Sequence, residues 1–232
     1  MTSRPVLSLL VQTAAILIPM AASRAAVTLT NGSFEIIGAQ YNPAIGGLHE
    51  ATGWTNLSGL NIQASSAVAS SGVNPEFTGG SPTGLRYLRL VADVDNPVNR
   101  GTIAQLVGSM VAGEVYTLRA DIFGGPSAGV DYGATISFVN QVIATPSTIY
   151  ASQTLSGVTN GAFVADAFNL TYTATPADNG QPLVVFLQAP VLGPGQATRG
   201  GLDNLRLTTV PEPSVILLAG LAGAALSRRH RF

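Results

Sequence analysis

The stretch EVYTLRADIF, residues 114–123, decides the fold. Its apolar side chains at Tyr116, Leu118, Ala120 and Ile122 alternate with polar ones. Successive side chains of a β-strand point to opposite faces of a sheet, so this period of two predicts a strand with one buried face. A strand of this kind needs partners, and the flanking sequence supplies them.

Five further segments have strand-like character. They are AFNLTYTAT (167–175), LRYLRLVA (85–92), ATISFV (134–139), PLVVFLQA (182–189) and LDNLRLTT (202–209). Clusters of Gly, Pro, Asn and Ser separate them and indicate turns and loops. No segment of useful length in residues 26–208 has helical periodicity. Many short strands between turns predict an all-β jelly-roll sandwich for this body.

Four motifs in a fixed order carry a family resemblance. They are TNGSFE (30–35), GWT (53–55), GTIAQLVGSMVAGEVYTLRADI (101–122) and GLDNLRL (201–207). Together they resemble the galactose-binding-like jelly roll of carbohydrate-binding modules of families 4 and 9, and of related DUF642-type domains. The resemblance implies a first strand at the NGSFE motif, a central hairpin, and a last strand at the DN motif.

The same resemblance implies a structural Ca²⁺ ion that joins the first and last strands. The matching positions are Glu35 and Asp203, with backbone carbonyls near Asn31 assisting. Ca²⁺ is bound by several hard oxygen ligands, and carboxylates from both ends of the body would hold the sandwich closed. The alternative is that both residues lie at the surface or in turns.

Aromatic side chains in loops are the candidates for binding a sugar. Trp54 is the one tryptophan, and Tyr41, Tyr87 and Tyr132 also lie in or beside predicted loops. The resemblance places no fixed sugar-stacking residue at these positions. We take Trp54, Tyr41 and Tyr132 as candidate ligand-binding residues, with a structural position under the first loop as the alternative for Trp54.

Catalytic motifs are weak in this sequence. GPSAG matches the nucleophile-elbow pattern at Ser127, but a predicted strand rather than a helix follows it. His49 is the one histidine outside the C-terminal tail, and it lies in a predicted loop. Asp93 and Asp95 are close in sequence, as a glycosidase pair could be, yet neither lies in an apolar stretch that would raise its pKa. We therefore expect no catalytic site.

The chain ends VPEPSVILLAGLAGAALSRRHRF, residues 210–232. The 15 uncharged residues 213–227 would span about 22 Å as a helix, against a hydrocarbon core of about 30 Å. Arg228, Arg229 and Arg231 follow, and such clusters stay on the cytoplasmic side of a membrane. A motif, a marginal span and a basic end predict a sorting signal that is cut and removed, rather than a plain tail anchor.

The N-terminus has the three parts of a secretory signal peptide, residues 1–25. Arg4 supplies the basic region, and an apolar stretch covers residues 6–22. Ser23 and Ala25 are small residues at the −3 and −1 positions of a cleavage site. We predict an N-terminal signal helix here, in addition to the short hydrophobic helix at the C-terminus, and exclude both from the fold of the body.

Together the two ends resemble those of PEP-CTERM proteins of Gram-negative bacteria. The matching motif is Val210, Pro211, Glu212 and Pro213, within the sorting signal 209–232. The resemblance implies export by the Sec machinery, transient inner-membrane insertion through the C-terminal helix, and processing by an exosortase. It places the protein in the cell envelope, at the outer surface or in the extracellular matrix.

Composition narrows the choice of partners. The body, residues 26–208, contains six arginines, no lysine and eleven acidic residues, which is a net charge of −5. An acidic body does not suit nucleic acid, which is bound by basic patches. The chain has no cysteine, which excludes a disulfide framework and a thiolate metal site.

These observations favour a non-catalytic envelope or matrix protein that is associated with exopolysaccharide. The alternative is a calcium-stabilised, lectin-like carbohydrate-binding module, and a secreted hydrolase is the least favoured. An exposed Trp54 or Tyr41 beside polar groups would favour the lectin-like module. A buried Trp54 would count against it.

Overall fold

The computed structural model describes residues 27–40, 48–58, 66–70, 86–92, 100–123, 130–156, 163–190 and 197–211. Within them nearly all regular structure is β, and one helical turn of 3-10 type covers Pro176–Asp178. The strands are β1 Ile37–Gln40, β2 Leu48–Ala51, β3 Thr55–Asn56, β4 Ser66–Ser70, β5 Arg86–Ala92, β6 Thr102–Ser109, β7 Glu114–Phe123, β8 Val130–Tyr132, β9 Ala134–Val139, β10 Ile149–Leu155, β11 Phe163–Thr173, β12 Pro182–Gln188 and β13 Ala197–Pro211.

The strands form two sheets. The larger has the order β1-β2-β4-β5-β13-β7-β11, with β8 pairing in parallel to β13. The smaller has five strands in the order β10-β9-β12-β6-β3, all paired antiparallel. The predicted all-β jelly-roll sandwich is confirmed.

The core lies between the two sheets, and β7 is central to it. Tyr116, Leu118, Ala120 and Ile122 are all fully buried, as the alternation in EVYTLRADIF predicts. They belong to one apolar cluster with core-facing residues of the smaller sheet: Ile103 and Val107 of β6, Ile136 and Phe138 of β9, and Leu183, Val185 and Leu187 of β12. Burial of each large side chain contributes roughly 1.5–3 kcal/mol, which makes this cluster the main source of stability.

The outer face of the smaller sheet is also covered. Val139, Val184 and Phe186 form a second buried cluster with Ala104, and Val142 packs against it from the segment between β9 and β10. Simple alternation of buried and exposed residues therefore fails on β9 and β12, where residues of both faces are buried. The candidate site lies on this outer face, and Val139 and Phe186 of the second cluster contribute to its lining.

The TNGSFE motif forms a tight loop beside the last strand. Asn31 and Phe34 have positive φ angles of 51° and 55°. The Asn31 side-chain amide donates to the carbonyls of Ile36 and Thr52, and its oxygen accepts from the Ile36 amide. The Leu205 amide donates to the Gly32 carbonyl at 2.9 Å. The first and last parts of the body are therefore neighbours.

One placement differs from the expectations: His49 belongs to strand β2 rather than to a loop. Tyr87 is the second residue of β5, in the segment predicted as a strand, and it is 1% exposed, so a ligand cannot reach its ring. The alternating pattern of LRYLRLVA marks this strand, but the side of the strand that faces solvent cannot be assigned from the pattern alone.

Several expectations fall on residues outside the described ranges. These are the signal peptide 1–25, Tyr41, Ser127, Asp93, Asp95, Glu212, Pro213, Arg228, Arg229, Arg231 and both terminal helices. Among the described residues, no helix has the length and apolar character needed to cross a membrane.

Candidate functional site

A cavity of about 240 Å³ lies on the outer face of the smaller sheet. We call it the outer-face pocket. Its lining consists of Arg100, Thr135, Ser137, Val139, Ala144, Thr145, Pro146, Ile149, Ser152, Phe186 and Gln188. Strands β9, β10 and β12 supply the floor, and the segment between β9 and β10 supplies a wall. Ligand pockets combine apolar walls with a few placed polar groups, and this lining has both.

Strand register arranges the floor in rows across the sheet. One row is polar: Thr154, Thr135, Gln188 and Thr102 lie opposite one another on β10, β9, β12 and β6. The Thr135 and Thr154 hydroxyls are 2.9 Å apart, and the Gln188 amide donates to the Thr102 hydroxyl at 2.9 Å. These hydrogen bonds fix the rotamers of the row, so its polar atoms are held in place before any ligand arrives.

The next row is mixed in character. Ser152, Ser137, Phe186 and Ala104 lie opposite one another, and the two serine hydroxyls are 2.8 Å apart. The Phe186 side chain is 5% exposed. Phe186 therefore lies beneath the hydroxyls and presents no stacking face of its own. The exposed apolar surface of the pocket comes from Ile149, which is 60% exposed.

Arg100 is the one ionisable side chain in the pocket lining. It is partly buried, and it precedes β6, where the Thr102 hydroxyl donates to the Arg100 carbonyl at 2.9 Å. No ion pair links Arg100 to another part of the described chain. Burial lowers the pKa of Arg100 from its ordinary value. The pocket therefore contains a positive charge that no carboxylate of the described residues neutralises.

Trp54 lies away from the pocket, under the first loop. It is 9% exposed, and its ring centre is 5.6 Å from that of Phe34. Its indole N–H donates to the Asn31 carbonyl at 3.4 Å. A ring buried in this way does not present a stacking face, so this placement counts against Trp54 as a sugar platform. Tyr132 is the last residue of β8, and its side chain is outside the described part.

The predicted calcium positions lie near the junction of the first loop and β13. Asp203 is fully buried and its carboxylate accepts from the Asn204 amide at 2.6 Å, while Glu35 is partly buried. The Asn31 carbonyl already accepts from Phe34 and Trp54. Within the described ranges, no group of three or more acidic, histidine or cysteine residues is placed to hold a metal. Calcium at Glu35 and Asp203 stays a prediction.

A second polar cluster surrounds Asp121 on the outer face of the larger sheet. Asp121 is 2% exposed and accepts from the Asp166 amide at 2.8 Å and from the Asn204 side chain at 2.9 Å. Asp166 and Asn204 have positive φ angles of 49° and 53° and lie where the registers of β11 and β13 shift. Arg206 pairs with Asp166 and lies 3.6 Å from Asp121. The carboxylates of Asp121 and Asp166 thus share the single charge of Arg206, and both are hydrogen bonded.

The sorting motif begins within the sheet. Val210 and Pro211 are the last residues of β13 and lie opposite Val115 and Glu114 of β7. Val210 is 54% exposed. The folded body and the motif therefore adjoin each other with no linker between them.

Sequence reasoning missed the outer-face pocket. Its residues come from three distant segments, around Arg100, residues 135–152 and residues 186–188, and most of them are small hydroxyl or aliphatic residues. One usable signal was present. Thr135 and Ser137 alternate with the core residues Ile136 and Phe138 on β9, and Ser152 and Thr154 share one face of β10. Two adjacent strands with hydroxyls on the same face indicate a polar surface.

Two family models match this chain. The HpiC1-like model, described as HpiC1 cyclase, covers residues 25–208, and the PEP-CTERM protein-sorting motif covers residues 209–231. The sorting motif indicates export to the cell envelope of a bacterium and implies processing by an exosortase. The expectation of a non-catalytic body is not established, since the matched family is named for a cyclase. None of the curated proteins compared with the chain matches it.

Solved structures share the fold. An apo cyclase from Fischerella sp. is 22% identical, with a TM-score of 0.55, and the match covers 80% of this chain and 96% of that one. A cyclase from Fischerella sp. TAU in complex with 4-(1H-indol-3-yl)butan-2-one is 21% identical, with a TM-score of 0.57 and coverage of 82% and 99%. A family 4 carbohydrate-binding module matches at 14% identity, with a TM-score of 0.45 and coverage of 79% and 100%.

The predicted resemblances of the body and of the tail are confirmed. The body matches the HpiC1-like model and shares its fold with the Fischerella cyclases, and the tail has the sorting motif. The HpiC1-like model spans most of the chain and contains both sheets up to Thr208 of β13. The chain belongs to the HpiC1-like family.

Proposed function

We propose that this protein is a polysaccharide-binding protein of the bacterial envelope, and that it binds one sugar unit in the outer-face pocket. The observation that carries the proposal is the pocket lining, where the polar side chains of Thr135, Ser152 and Gln188 lie beside the exposed apolar side chain of Ile149. Hydroxyls and amides pair with sugar hydroxyls, and an exposed apolar side chain packs against the apolar face of a sugar. A cavity of about 150 Å³ holds benzene, so this one has room for a six-membered ring.

Export supports the same function. The sorting motif takes the protein to the envelope, where polysaccharide is the abundant partner. The pocket lining contains hydrogen-bonding groups and one cation, but no carboxylate or histidine among its residues. This set can bind and orient a ligand, whereas general acid–base catalysis needs a group that exchanges a proton near neutral pH.

The test is affinity gel electrophoresis of the full-length protein in gels that contain neutral or acidic polysaccharides. We expect at least one polysaccharide to retard the wild type. Ser152→Trp fills the pocket from an exposed strand position and should abolish the retardation. Thr171→Trp, at an exposed position of β11 on the other sheet, is the matched control and should bind as the wild type does. Equal retardation of all three proteins would refute the pocket as the site.

Cyclisation of a small molecule is the second candidate function, and membership of the HpiC1-like family favours it. The discriminating probe is 4-(1H-indol-3-yl)butan-2-one, the compound bound by the cyclase from Fischerella sp. TAU. Isothermal titration of the full-length protein with this compound should show no heat of binding if the pocket takes sugars. Saturable binding of the indole compound, without retardation by any polysaccharide, would favour the cyclase candidate.

A further inference from the structure

We propose that the outer-face pocket selects a sugar that bears a carboxylate, such as a uronic acid residue, and that Arg100 binds this carboxylate. The inference rests on the proposed function and names its ligand class. The inference depends on the charge of Arg100, whereas the proposed function depends on the uncharged lining of the pocket. An experiment can therefore refute the one without refuting the other.

The first step in the argument is the state of the Arg100 side chain. It is partly buried in the pocket wall and has no ion pair with another described residue. Arg206, by contrast, pairs with Asp166 and lies close to Asp121. Removing a charge from water is costly unless an opposite charge compensates it. A ligand carboxylate would supply the compensation that Arg206 obtains from its own chain.

The second step is the geometry that an arginine offers. Its planar guanidinium presents paired N–H donors that match the two oxygens of a carboxylate, and charge-assisted hydrogen bonds of this kind are stronger than neutral ones. Burial lowers the pKa of Arg100, yet an arginine remains charged at neutral pH. The group is therefore a permanent cation at the edge of the pocket.

The third step is the neutral floor beside Arg100. Thr135, Ser152 and Gln188 carry no charge and pair with hydroxyls of any sugar, while the exposed Ile149 contacts the apolar face of a ring. The floor therefore accepts a sugar ring without regard to its charge. Discrimination between a neutral sugar and its uronic acid counterpart falls to Arg100.

The net charge of the body excludes a non-specific explanation. With a net charge of −5, residues 26–208 repel a polyanion at long range. Attraction must therefore come from a local contact. Salt screens the long-range repulsion more than the close contact in the pocket, so binding should survive moderate ionic strength.

The test is isothermal titration of the full-length protein with oligogalacturonate and with the same oligomer after chemical reduction of its carboxylates. Arg100→Gln keeps donor groups but removes the charge, and Arg119→Gln removes an exposed arginine from the outer face of the other sheet. We expect Arg100→Gln to bind oligogalacturonate about tenfold or more weakly, since one charge-assisted contact is lost. Arg119→Gln should bind as the wild type does.

The outcomes separate the two ideas. Wild-type protein that binds the charged oligomer better than the reduced one, with the preference lost in Arg100→Gln alone, supports the inference. Equal binding of both oligomers, abolished by Ser152→Trp, overturns the inference and leaves the proposed function standing. If neither these oligomers nor any polysaccharide binds, both are wrong. Circular dichroism of each variant confirms that a loss of binding is not a loss of fold.

Discussion

The side chain of Gln105 holds the backbone of Thr30 at both its amide and its carbonyl. The Thr30 amide donates to the Gln105 oxygen at 2.8 Å, and the Gln105 nitrogen donates to the Thr30 carbonyl at 3.1 Å. The same nitrogen reaches the Gly53 carbonyl at 2.7 Å. One buried amide on β6 thus connects the first loop, the turn before Trp54 and the core.

Replacing Gln105 with leucine should weaken the fold markedly. Gln105 is 5% exposed, and leucine has a similar volume but leaves the Thr30 and Gly53 backbone groups without partners. Thr30 and Gly53 are at exposed positions that water can reach, so the loss is that of three hydrogen bonds at about 0.5–1.5 kcal/mol each. We expect the free energy of unfolding in urea to fall by about 2–3 kcal/mol. Gln181→Leu, at an exposed position, is the control and should change little.

The contact between Gly32 and Leu205 makes a second prediction. A Cβ atom at position 32 would lie 2.3 Å from the Leu205 carbonyl oxygen, which is too close for any side chain. Gly32→Ala must push the first loop away from β13, and we expect a loss of about 2–3 kcal/mol in the free energy of unfolding.

Gly180→Ala is the matched comparison for Gly32→Ala. A Cβ atom added at position 180 would have no other atom within 4 Å, and the φ of Gly180 is +78°. The cost of this substitution is therefore conformational alone, about 1 kcal/mol. If Gly32→Ala proved as mild as Gly180→Ala, the close approach of the first loop to the last strand would be wrong.

The Asp178 carboxylate predicts a pH dependence of stability. It accepts hydrogen bonds from the Thr175 hydroxyl at 2.6 Å and the Tyr172 hydroxyl at 2.6 Å. These bonds, that from Thr175 first, hold the pKa of Asp178 below its ordinary value. A lowered folded-state pKa contributes stability above the unfolded pKa of about 3.9, and the contribution is lost as the pH falls through the folded value.

The measurement compares wild type with Asp178→Asn in urea at several pH values. Wild type should be the more stable at pH 6, and the difference should shrink as the pH falls below about 4. Tyr172→Phe removes one of the donors and should reduce the difference without abolishing it. A gap that is constant from pH 6 to pH 2.5 would contradict an ionised, hydrogen-bonded Asp178.

Much of the sandwich could be predicted because one face of β7 and β11 is buried and the other is not. The period of two is then visible in the sequence. Asp121 is an exception. The alternating pattern places its side chain on the polar, solvent-facing side of β7, yet it is 2% exposed. Its burial depends on irregular register at Asp166 and Asn204, and neither shift has a sequence signature that could be recognised.

The candidate site was less accessible to sequence reasoning than the fold. Trp54 was a candidate because sugar sites favour aromatic platforms. Its burial depends on the shape of the first loop, which the positive φ values at Asn31 and Phe34 determine. Arg100 is one of six arginines in the body, and nothing in its local sequence separates it from the rest. Only the register of β6, β9 and β12 brings it beside Ser137 and Gln188.

The burial of Trp54 predicts its fluorescence. It is the one tryptophan of the chain, so emission reports its surroundings directly. With 9% exposure and Phe34 against its ring, we expect blue-shifted emission and weak quenching by iodide. A polysaccharide that retards the protein in gels should leave this emission unchanged. Emission that shifts on ligand addition in wild type, and still shifts in Ser152→Trp after correction for its added indole, would return Trp54 to the binding site.

The end of β13 connects the fold to export. Val210 and Pro211 of the sorting motif pair with β7, and β5 pairs only with residues 198–202 of β13. In the described part of the chain, residues 206–211 therefore have a neighbouring strand on the β7 side only. Opening this end breaks one ladder of hydrogen bonds, and we expect the exosortase to need that opening to reach the whole motif.

A disulfide across the strand end tests this expectation. Directly opposite residues on antiparallel strands are close enough for a disulfide, so Val115→Cys with Val210→Cys should form one during export. Immunoblots should then show the unprocessed form accumulating, and a reducing agent in the medium should restore processing. Thr117→Cys with Thr208→Cys places the bridge two residues earlier and leaves the motif free to open, so it should be processed normally. Normal processing of the Val115–Val210 pair, with the disulfide verified, would show that the enzyme takes the motif from Glu212 onward while Val210 and Pro211 stay in the sheet.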